Sequence, residues 1–194
     1  MEKREATVKR KTTEVDITLS LNVDGKGSGE VDTGVKFLDH MLLTLTKHSL
    51  FDLKVKATGD LVHHVSEDVA LVFGEALRKA LGEKRGIRRF GYAYVPMDDS
   101  LARAVVDLSG RPYVSVKLNL HLTETEDMKI EDIEHFFLSL GEALKANLHL
   151  EVLYGSNDHH KIEAALKALA LSFRDAVKIE PRIAGETPST KGVL

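Results

Sequence analysis

The sequence of 194 residues contains no cysteine and no tryptophan. The absence of cysteine excludes a disulfide framework, a thiolate zinc site and a cysteine nucleophile. No stretch approaches the roughly 20 apolar residues of a membrane helix, and the N-terminal segment is charged from its second residue, unlike a signal peptide. We therefore expect a cytoplasmic protein with no membrane partner.

A large excess of charge of either sign is also absent, because 27 basic residues face 30 acidic residues and the net charge is −3. A nucleic-acid partner held by bulk positive charge is therefore not expected. Hydrophobic residues make up 43% of the chain, which is typical of a folded globule. Nine histidines and thirty carboxylates remain, so we expect any bound metal to have imidazole and carboxylate ligands.

The hydrophobic pattern predicts two similar halves. Alternating β-branched residues predict strands, and apolar residues three or four positions apart predict amphipathic helices. In the first half we expect strands at 5–10, 14–21 and 51–57 and helices at 35–49 and 67–81. In the second half we expect strands at 89–95, 101–108, 113–120 and 149–154 and helices at 131–147 and 159–177. The halves share a ββαβα-like order, with one extra strand in the second.

A histidine motif repeats in step with these elements. Two HHxxE sequences lie 96 residues apart, and their members are His63, His64 and Glu67, then His159, His160 and Glu163. Adjacent histidines on a helix point about 100° apart, so each pair most economically serves two different ions, with the glutamate completing one site. A lone copy is more often a solvated helix start, but two matching copies favour metal binding. Manganese, iron, zinc and cobalt all accept such ligands.

The two motifs differ in what precedes them. Asn157 is a good N-cap for a helix that begins near His159. Leu61 and Val62 precede the first motif and offer no capping oxygen. A helix capped by Ser66, with the first histidine pair in a loop, is therefore an open alternative.

Phosphate-binding signals are limited to single turns and the C-terminal segment. The chain has no GxxxxGK loop, no GxGxxG turn after a strand and no GxSxG elbow, which argues against nucleotide-dependent and serine-hydrolase activities. Arg111 follows a Ser-Gly turn and suits a carboxylate or a phosphate. The hydroxyls and ammonium of segment 189–191 also suit a phosphate, although a frayed tail has the same composition.

Seven motifs occur in order along the chain: TGVKFLDHML (33–42), HHVSED (63–68), PMDDSLA (96–102), DLSGRP (107–112), LHLEVLYG (148–155), NDHHKIEAALK (157–167) and STKG (189–192). Together they resemble the imidazoleglycerol-phosphate dehydratase family, which dehydrates D-erythro-imidazole glycerol phosphate to imidazole acetol phosphate in L-histidine biosynthesis. The resemblance implies an α+β fold with an internally duplicated sheet-plus-two-helix unit. We expect one domain over 1–194, with repeats at about 1–88 and 89–180 and a substrate-binding tail at 181–194.

The resemblance also implies trimers that assemble into a large symmetric particle of 24 subunits, with active sites where subunits meet. Two Mn²⁺ ions per active site are implied, and other divalent metals are possible. The implied ligands are His40, His63, His64, Glu67, His149, His159, His160 and Glu163. His121 and His135 are then best explained as surface residues.

Roles in substrate binding and proton transfer follow from the same resemblance. The implied substrate and phosphate contacts are Glu14, His48, Arg89, Arg111, Lys167, Ser189, Thr190 and Lys191. Glu14, Glu163 and Asp98 are the candidates for moving protons. From the chemistry of the substrate we expect loss of hydroxide through a metal-stabilised imidazolate and a diazafulvene-like intermediate.

The chain departs from the family pattern at three places. Only two residues separate Asp60 from His63, where five ending in aspartates are usual, so the carboxylate that orients a ligand histidine is expected to be missing or replaced. Asp99 stands where the family has glutamate, and Thr44 where a glutamine commonly contacts substrate.

Two other functions use the same residue types. A di-metal phosphoesterase would also need histidines, carboxylates and basic phosphate contacts, and would release phosphate. A non-catalytic assembly protein scaffolded by metals would show no turnover and would come apart on chelation.

Overall fold

The computed structural model describes residues 3–194, and its first half is one sheet with two helices. The elements of this half are β1 (Glu5–Lys11), β2 (Val15–Asn22), β3 (Gly29–Asp32), α1 (Lys36–Ser49), β4 (Asp52–Gly59) and α2 (Val62–Leu81). The sheet order is β1-β2-β4-β3, in which β3 runs parallel to β4 and the other pairs are antiparallel.

The second half repeats this arrangement. Its elements are β5 (Phe90–Met97), β6 (Ser100–Asp107), β7 (Tyr113–Lys117), β8 (Glu124–Thr125), β9 (Met128–Lys129), α3 (Ile130–Leu144), β10 (Asn147–Tyr154), α4 (Asp158–Ala176) and a 3-10 turn (Pro181–Ile183). The sheet order β5-β6-β10-β7 matches the first sheet, including the parallel pair of β7 and β10.

The duplicated α+β fold is therefore confirmed. The sequence predicted one extra strand in the second half, but the two four-stranded sheets have equivalent strands. The first half has its own equivalent strand, β3, which the sequence pattern did not predict because Gly29 to Asp32 alternates weakly and is largely exposed. The second half instead adds the short β8–β9 hairpin ahead of α3.

The helices of the first half pack against the helices of the second half. Helix α2 packs on the first sheet and on α3, whereas α4 packs on the second sheet and on α1. The α2–α3 contact is close at Gly74, where a Cβ would lie 2.6 Å from the Leu140 carbonyl oxygen. Alternate residues of β2 and β6 are buried, so a single hydrophobic core joins both sheets and all four helices. Both helices of each half thus pack against a helix of the other half.

Element boundaries differ from the predictions where capping signals are weak. Helix α2 begins at Val62, five residues before the predicted start, with Leu61 as an N-cap that provides no side-chain hydrogen bond. His63 and His64 are therefore helical, and the alternative that Ser66 caps this helix is wrong. Helix α4 begins at Asp158, and the Asn157 side chain accepts from the backbone N–H of His160, as predicted.

Two further element boundaries, both in the second half, differ from the predicted ones. Helix α3 ends at Leu144, before the left-handed residue Lys145 (φ 54°), so Asn147 belongs to β10. None of the helices within residues 3–194 is long and apolar enough to cross a membrane.

Candidate metal centres and substrate site

Helices α1 and α4 bring His40, His159 and Glu163 together in what we term the first ligand group. One carboxylate oxygen, Oε2 of Glu163, lies 3.6 Å from Nε2 of His40 and 3.4 Å from Nε2 of His159. His159 and Glu163 share a face of α4 because they are one helical turn apart. Each residue offers a ligand atom within 4.8 Å of the others, so this group can hold a metal ion.

Helices α2 and α3 form the second ligand group from His63, Glu67 and His135. Oε2 of Glu67 lies 3.8 Å from Nε2 of His63 and 3.9 Å from Nδ1 of His135. Nδ1 of His135 is buried and, within the described part of the chain, has no hydrogen-bond partner. A bound metal would satisfy such a nitrogen. His135, expected to be a surface residue, is therefore partly exposed but lies in a group that can hold a metal ion.

The two ligand groups occupy equivalent places in the duplicated fold. His40 and His135 are 95 positions apart, close to the 96 that separate the HHxxE motifs. The buried residues around each histidine follow the same spacing: Leu38, Met41, Leu42 and Leu45 in α1, and Ile133, Phe136, Phe137 and Leu140 in α3. This shared apolar spacing is the sequence signal that could have identified His135.

Every histidine of the two HHxxE motifs has a carboxylate at Nδ1. The pairs are Asp132 with His63 (2.6 Å), Asp60 with His64 (2.7 Å), Glu126 with His159 (3.1 Å) and Asp99 with His160 (2.6 Å). A carboxylate acceptor holds the proton on Nδ1 and leaves Nε2 as the nitrogen available to a metal. The four imidazoles are thus presented in the form that metal binding requires.

Two of these carboxylates are the family departures noted above. Asp60 pairs with Nδ1 of His64 although the segment before the first motif is short, so for this histidine the carboxylate is replaced rather than missing, which is one of the two outcomes expected from the sequence. Asp99 accepts hydrogen bonds from the Ser156 hydroxyl, from His160 and from the backbone N–H groups of Ser156 and Asn157, and these bonds hold the pKa of Asp99 well below its ordinary value. Its shorter side chain therefore still orients a motif histidine.

The other predicted ligands lie outside the two ligand groups of the described residues. The planes of the neighbouring rings are inclined by 61° for His63 and His64 and by 89° for His159 and His160. Only the first histidine of each pair belongs to a ligand group, which leaves His64 and His160 outside. His149 lies on β10 with an exposed side chain, and its ring centroid is 5.5 Å from that of Tyr113.

Lys167 and His48 adjoin the first ligand group. Nζ of Lys167 donates to Glu163 at 2.7 Å and contacts the sulfur of Met97 at 3.2 Å. Burial raises the pKa of Glu163, but the hydrogen bond and charge of Lys167 outweigh burial and hold this pKa below its ordinary value. Burial and the positive charge of Lys167 lower the pKa of His48. Near neutral pH, Glu163 is therefore ionised and His48 is neutral.

Arg89 connects the second sheet to the C-terminal segment. It donates to Asp107 at 2.6 and 3.0 Å and to the backbone carbonyl of Pro188 at 3.0 Å. A Cβ at Gly110 would lie 2.7 Å from the carbonyl carbon of Leu194, so the tail also reaches the next turn. Of the other predicted phosphate contacts, Arg111 follows Gly110 in the chain, and Ser189, Thr190 and Lys191 follow Pro188.

Glu14 and Asp98 lie beside the motif histidines that the ligand groups leave out. The hydrogen bond that Nδ1 of His64 donates to Asp60 and, less strongly, the charge of exposed Glu14 raise the pKa of His64. Oδ2 of Asp98 is 3.5 Å from Nε2 of His160. The two candidate acids are thus placed at corresponding positions in the two halves.

Comparisons with known proteins show which family this chain resembles. A family model described as imidazoleglycerol-phosphate dehydratase matches residues 33–173. Proteins of that name are similar over nearly their full length: the one from Chloroherpeton thalassium is 51% identical, covering 100% of both chains, and the one from Dehalococcoides mccartyi strain 195 is 50% identical, covering 100% of this chain and 99% of the relative.

Two solved structures are also similar. The enzyme of that name from Staphylococcus aureus superposes with a TM-score of 0.84 at 35% identity, covering 91% of this chain and 99% of that chain. The enzyme from Pyrococcus furiosus superposes with a TM-score of 0.83 at 38% identity, covering 96% of this chain and 100% of that chain.

Proposed function

Since the chain belongs to the imidazoleglycerol-phosphate dehydratase family and is a carbon–oxygen lyase of histidine biosynthesis, we propose that it carries out the dehydration at two metal ions held by the two ligand groups. The observation that carries this proposal is the equivalence of the groups, each with two imidazoles facing one carboxylate oxygen. The donor set and the unpartnered Nδ1 of His135 fit a divalent metal such as Mn²⁺.

The proposed ligands supplied within one chain are His40, His159 and Glu163 for one ion and His63, Glu67 and His135 for the other. Bound divalent metals would lower the pKa of the substrate's imidazole N–H, and the electron pair left on the ring after this proton leaves would favour expulsion of the neighbouring hydroxyl. The Nδ1 carboxylates prepare the chain for this by holding the motif histidines in one tautomer.

Proton transfer is assigned to acids already placed near these groups. Glu163 is ionised and held by Lys167, which makes it available as a base once Lys167 turns to the substrate. Glu14 and Asp98 adjoin His64 and His160 and are proposed to exchange protons with the substrate's carbon chain. Neutral His48 is proposed to hydrogen-bond the substrate.

The phosphate is proposed to bind at the opposite end of the substrate, through cations and hydroxyls on the second sheet and the tail. Arg89 already holds the tail through Pro188, which brings hydroxyl and ammonium groups to one region. Fixing the phosphate there would orient the reacting carbons. The proposed contacts are Arg89, Arg111, Lys167, Ser189, Thr190 and Lys191.

We further propose that neighbouring subunits complete the metal sites, in the 24-subunit assembly that the sequence resemblance implies. Each ligand group offers three protein ligands, whereas Mn²⁺ prefers about six. His64 and His160 each have Nδ1 paired with a carboxylate and belong to neither ligand group, so their Nε2 atoms are proposed to bind the metals of another chain. The role of His149, the single-domain boundaries and the cytoplasmic location stay predictions.

One assay tests the reaction against its alternatives. Metal-loaded protein is incubated with imidazole glycerol phosphate, and both ketone product and free phosphate are measured, with and without a chelator. We expect ketone without phosphate release, lost on chelation. Phosphate release would indicate a phosphoesterase, and intact assembly without turnover would indicate a scaffold.

A second assay tests the ligand assignment. The number of Mn²⁺ ions per chain is measured for His135→Ala, with Glu131→Gln as a matched control because Glu131 is an exposed residue of the same helix. We expect His135→Ala to lose one ion and the control to lose none. Loss of an ion in His149→Ala, with none lost in His135→Ala, would assign the ligand to His149 instead.

A further inference from the structure

The turn of the β8–β9 hairpin contacts both helices of the first ligand group. Its two residues, Glu126 and Asp127, are adjacent acids that lie in the second half of the chain. The hairpin is anchored to the core, since Met128 is buried and the N–H of Ile130 donates to the carbonyl of Thr123 at 3.1 Å. The first sheet has no such hairpin among its described residues, so this is a feature of one half only.

Asp127 holds the start of α1, the helix that carries His40. Its two carboxylate oxygens accept from the backbone N–H groups of Lys36 (2.7 Å) and Phe37 (2.9 Å). The N-cap residue Val35 provides no side-chain hydrogen bond, so Asp127 replaces it from 91 residues away. The carboxylate charge also complements the positive end of the helix dipole.

Phe37 extends this contact into the ligand group. Its ring centroid lies 6.1 Å from that of His40 and 5.3 Å from that of His159. A shift of the first turn of α1 would therefore move a ring that touches both histidines. Asp127 fixes that turn through two hydrogen bonds.

Glu126 acts on the other helix. Oε1 of Glu126 pairs with Nδ1 of His159 at 3.1 Å, while Nε2 of His159 faces Glu163. Glu126 has a φ of 55°, in the left-handed region where glycine is the unstrained choice. A glutamate kept there at a conformational cost is consistent with a role for its side chain.

We propose that Glu126 and Asp127 are positioning residues that set the geometry of the first ligand group, an inference that rests on the proposed metal function. Glu126 fixes the tautomer and ring direction of His159, and Asp127 fixes the helix that presents His40. The second ligand group is oriented separately, because Asp132 from α3 pairs with His63. The turn therefore controls one of the two metal sites.

The test uses Glu126→Gly, because glycine relieves the strained φ while removing the carboxylate. Mn²⁺ binding to the assembled protein is measured by competition with a fluorescent chelator, and thermal stability is measured in EDTA. We expect one of the two Mn²⁺ sites to weaken by about 10–100-fold, the other to keep its affinity, and the melting temperature to stay the same or rise. A purely structural role predicts no selective loss of one metal.

Three companion variants sharpen the result. Glu126→Gln should recover most of the affinity, since its amide oxygen can still accept from Nδ1 of His159. Asp127→Ala should weaken the same site and also lower the melting temperature through loss of the cap. Glu124→Gln, an exposed neighbour in the same hairpin, is the matched control and should leave both sites unchanged.

The outcomes separate this inference from the proposed function. Wild-type protein that binds two Mn²⁺ ions and turns over, with both sites unaltered in Glu126→Gly and Asp127→Ala, would overturn the positioning role alone. Equal weakening of both sites would overturn it as well. Wild-type protein that binds no Mn²⁺ would overturn the proposed function and the positioning role together.

Discussion

The first turn of α4 contains a buried ion pair whose loss should be measurable as stability. The side chains of Lys161 and Asp158 are each 1% exposed and lie 3.0 Å apart. Nζ of Lys161 also donates to the carbonyl of Asn119 (2.7 Å) and contacts Nδ1 of His121 (3.2 Å). The second oxygen of Asp158 accepts from two backbone N–H groups at 2.8 Å. The pair thus ties the start of α4 to the loop after β7.

Lys161→Met removes the ammonium and leaves a buried carboxylate with part of its partners. Breaking a buried pair in this way costs about 3–5 kcal/mol. Because Asp158 retains its two backbone donors, we expect the lower end, about 3 kcal/mol. For a chain of this size that corresponds to a fall in melting temperature of about 6–12 °C.

The assay is thermal or guanidinium unfolding followed by circular dichroism. Lys79→Met is the matched control, since Lys79 pairs with Glu75 one turn away but is 52% exposed, and its loss should cost about 0.5 kcal/mol or less. The double variant Asp158→Asn/Lys161→Met should lose less than the sum of the single variants. A loss below about 1 kcal/mol for Lys161→Met would refute the reasoning.

The stability difference between wild type and Lys161→Met should decrease at low pH. Burial raises the pKa of Asp158, but the backbone N–H bonds from the loop and the bond from Lys161 outweigh burial, so the folded-state pKa is below the ordinary value. A depressed carboxyl pKa contributes stability above the unfolded value, about 4, and loses it as the pH falls through the folded value. The gap between wild type and Lys161→Met should therefore narrow below about pH 4.

Three further variants test other parts of the fold. Gly91→Ala should abolish native folding, because β5 packs closely on α4 at this residue. The added Cβ would meet the Ser172 carbonyl and lie 2.8 Å from the Ala176 backbone nitrogen. Recovery of folded protein with the melting temperature of the wild type would contradict this. Leu140→Ala, at a fully buried site, should cost about 2–5 kcal/mol in denaturant unfolding, and a loss under about 1 kcal/mol would argue against tight packing there. The hydrogen bonds from Arg182 lower the pKa of Glu180 to about 2. Glu180→Gln should therefore reduce the melting temperature at pH 7 and no longer do so by about pH 2. An equal reduction at both pH values would show that the ionisation of Glu180 does not contribute to stability.

The sequence predicted the parts of the site that depend on local order. The HHxxE spacing of one helical turn was enough to place His63 with Glu67 and His159 with Glu163, because the α-helix fixes that geometry. It did not reveal His135, since a single histidine between apolar residues is ambiguous until its helix is known to face α2. Nor did it reveal that Asp60 orients its neighbour, because helix α2 begins earlier than capping residues indicate.

The order of the elements along the chain does not show which helices pack together. The first ligand group joins His40 of the first half to the motif of the second, and the second group joins His135 of the second half to the motif of the first. Among the residues that the structure describes, neither half contains a complete group, although each contains one helix with a single ligand histidine and one helix with an HHxxE motif. The duplication visible in the sequence is therefore not sufficient to predict two metal sites. The packing of α1 on α4 and of α2 on α3 is also needed, because it brings each motif glutamate to its second histidine. This packing depends on core residues that are far apart in the chain.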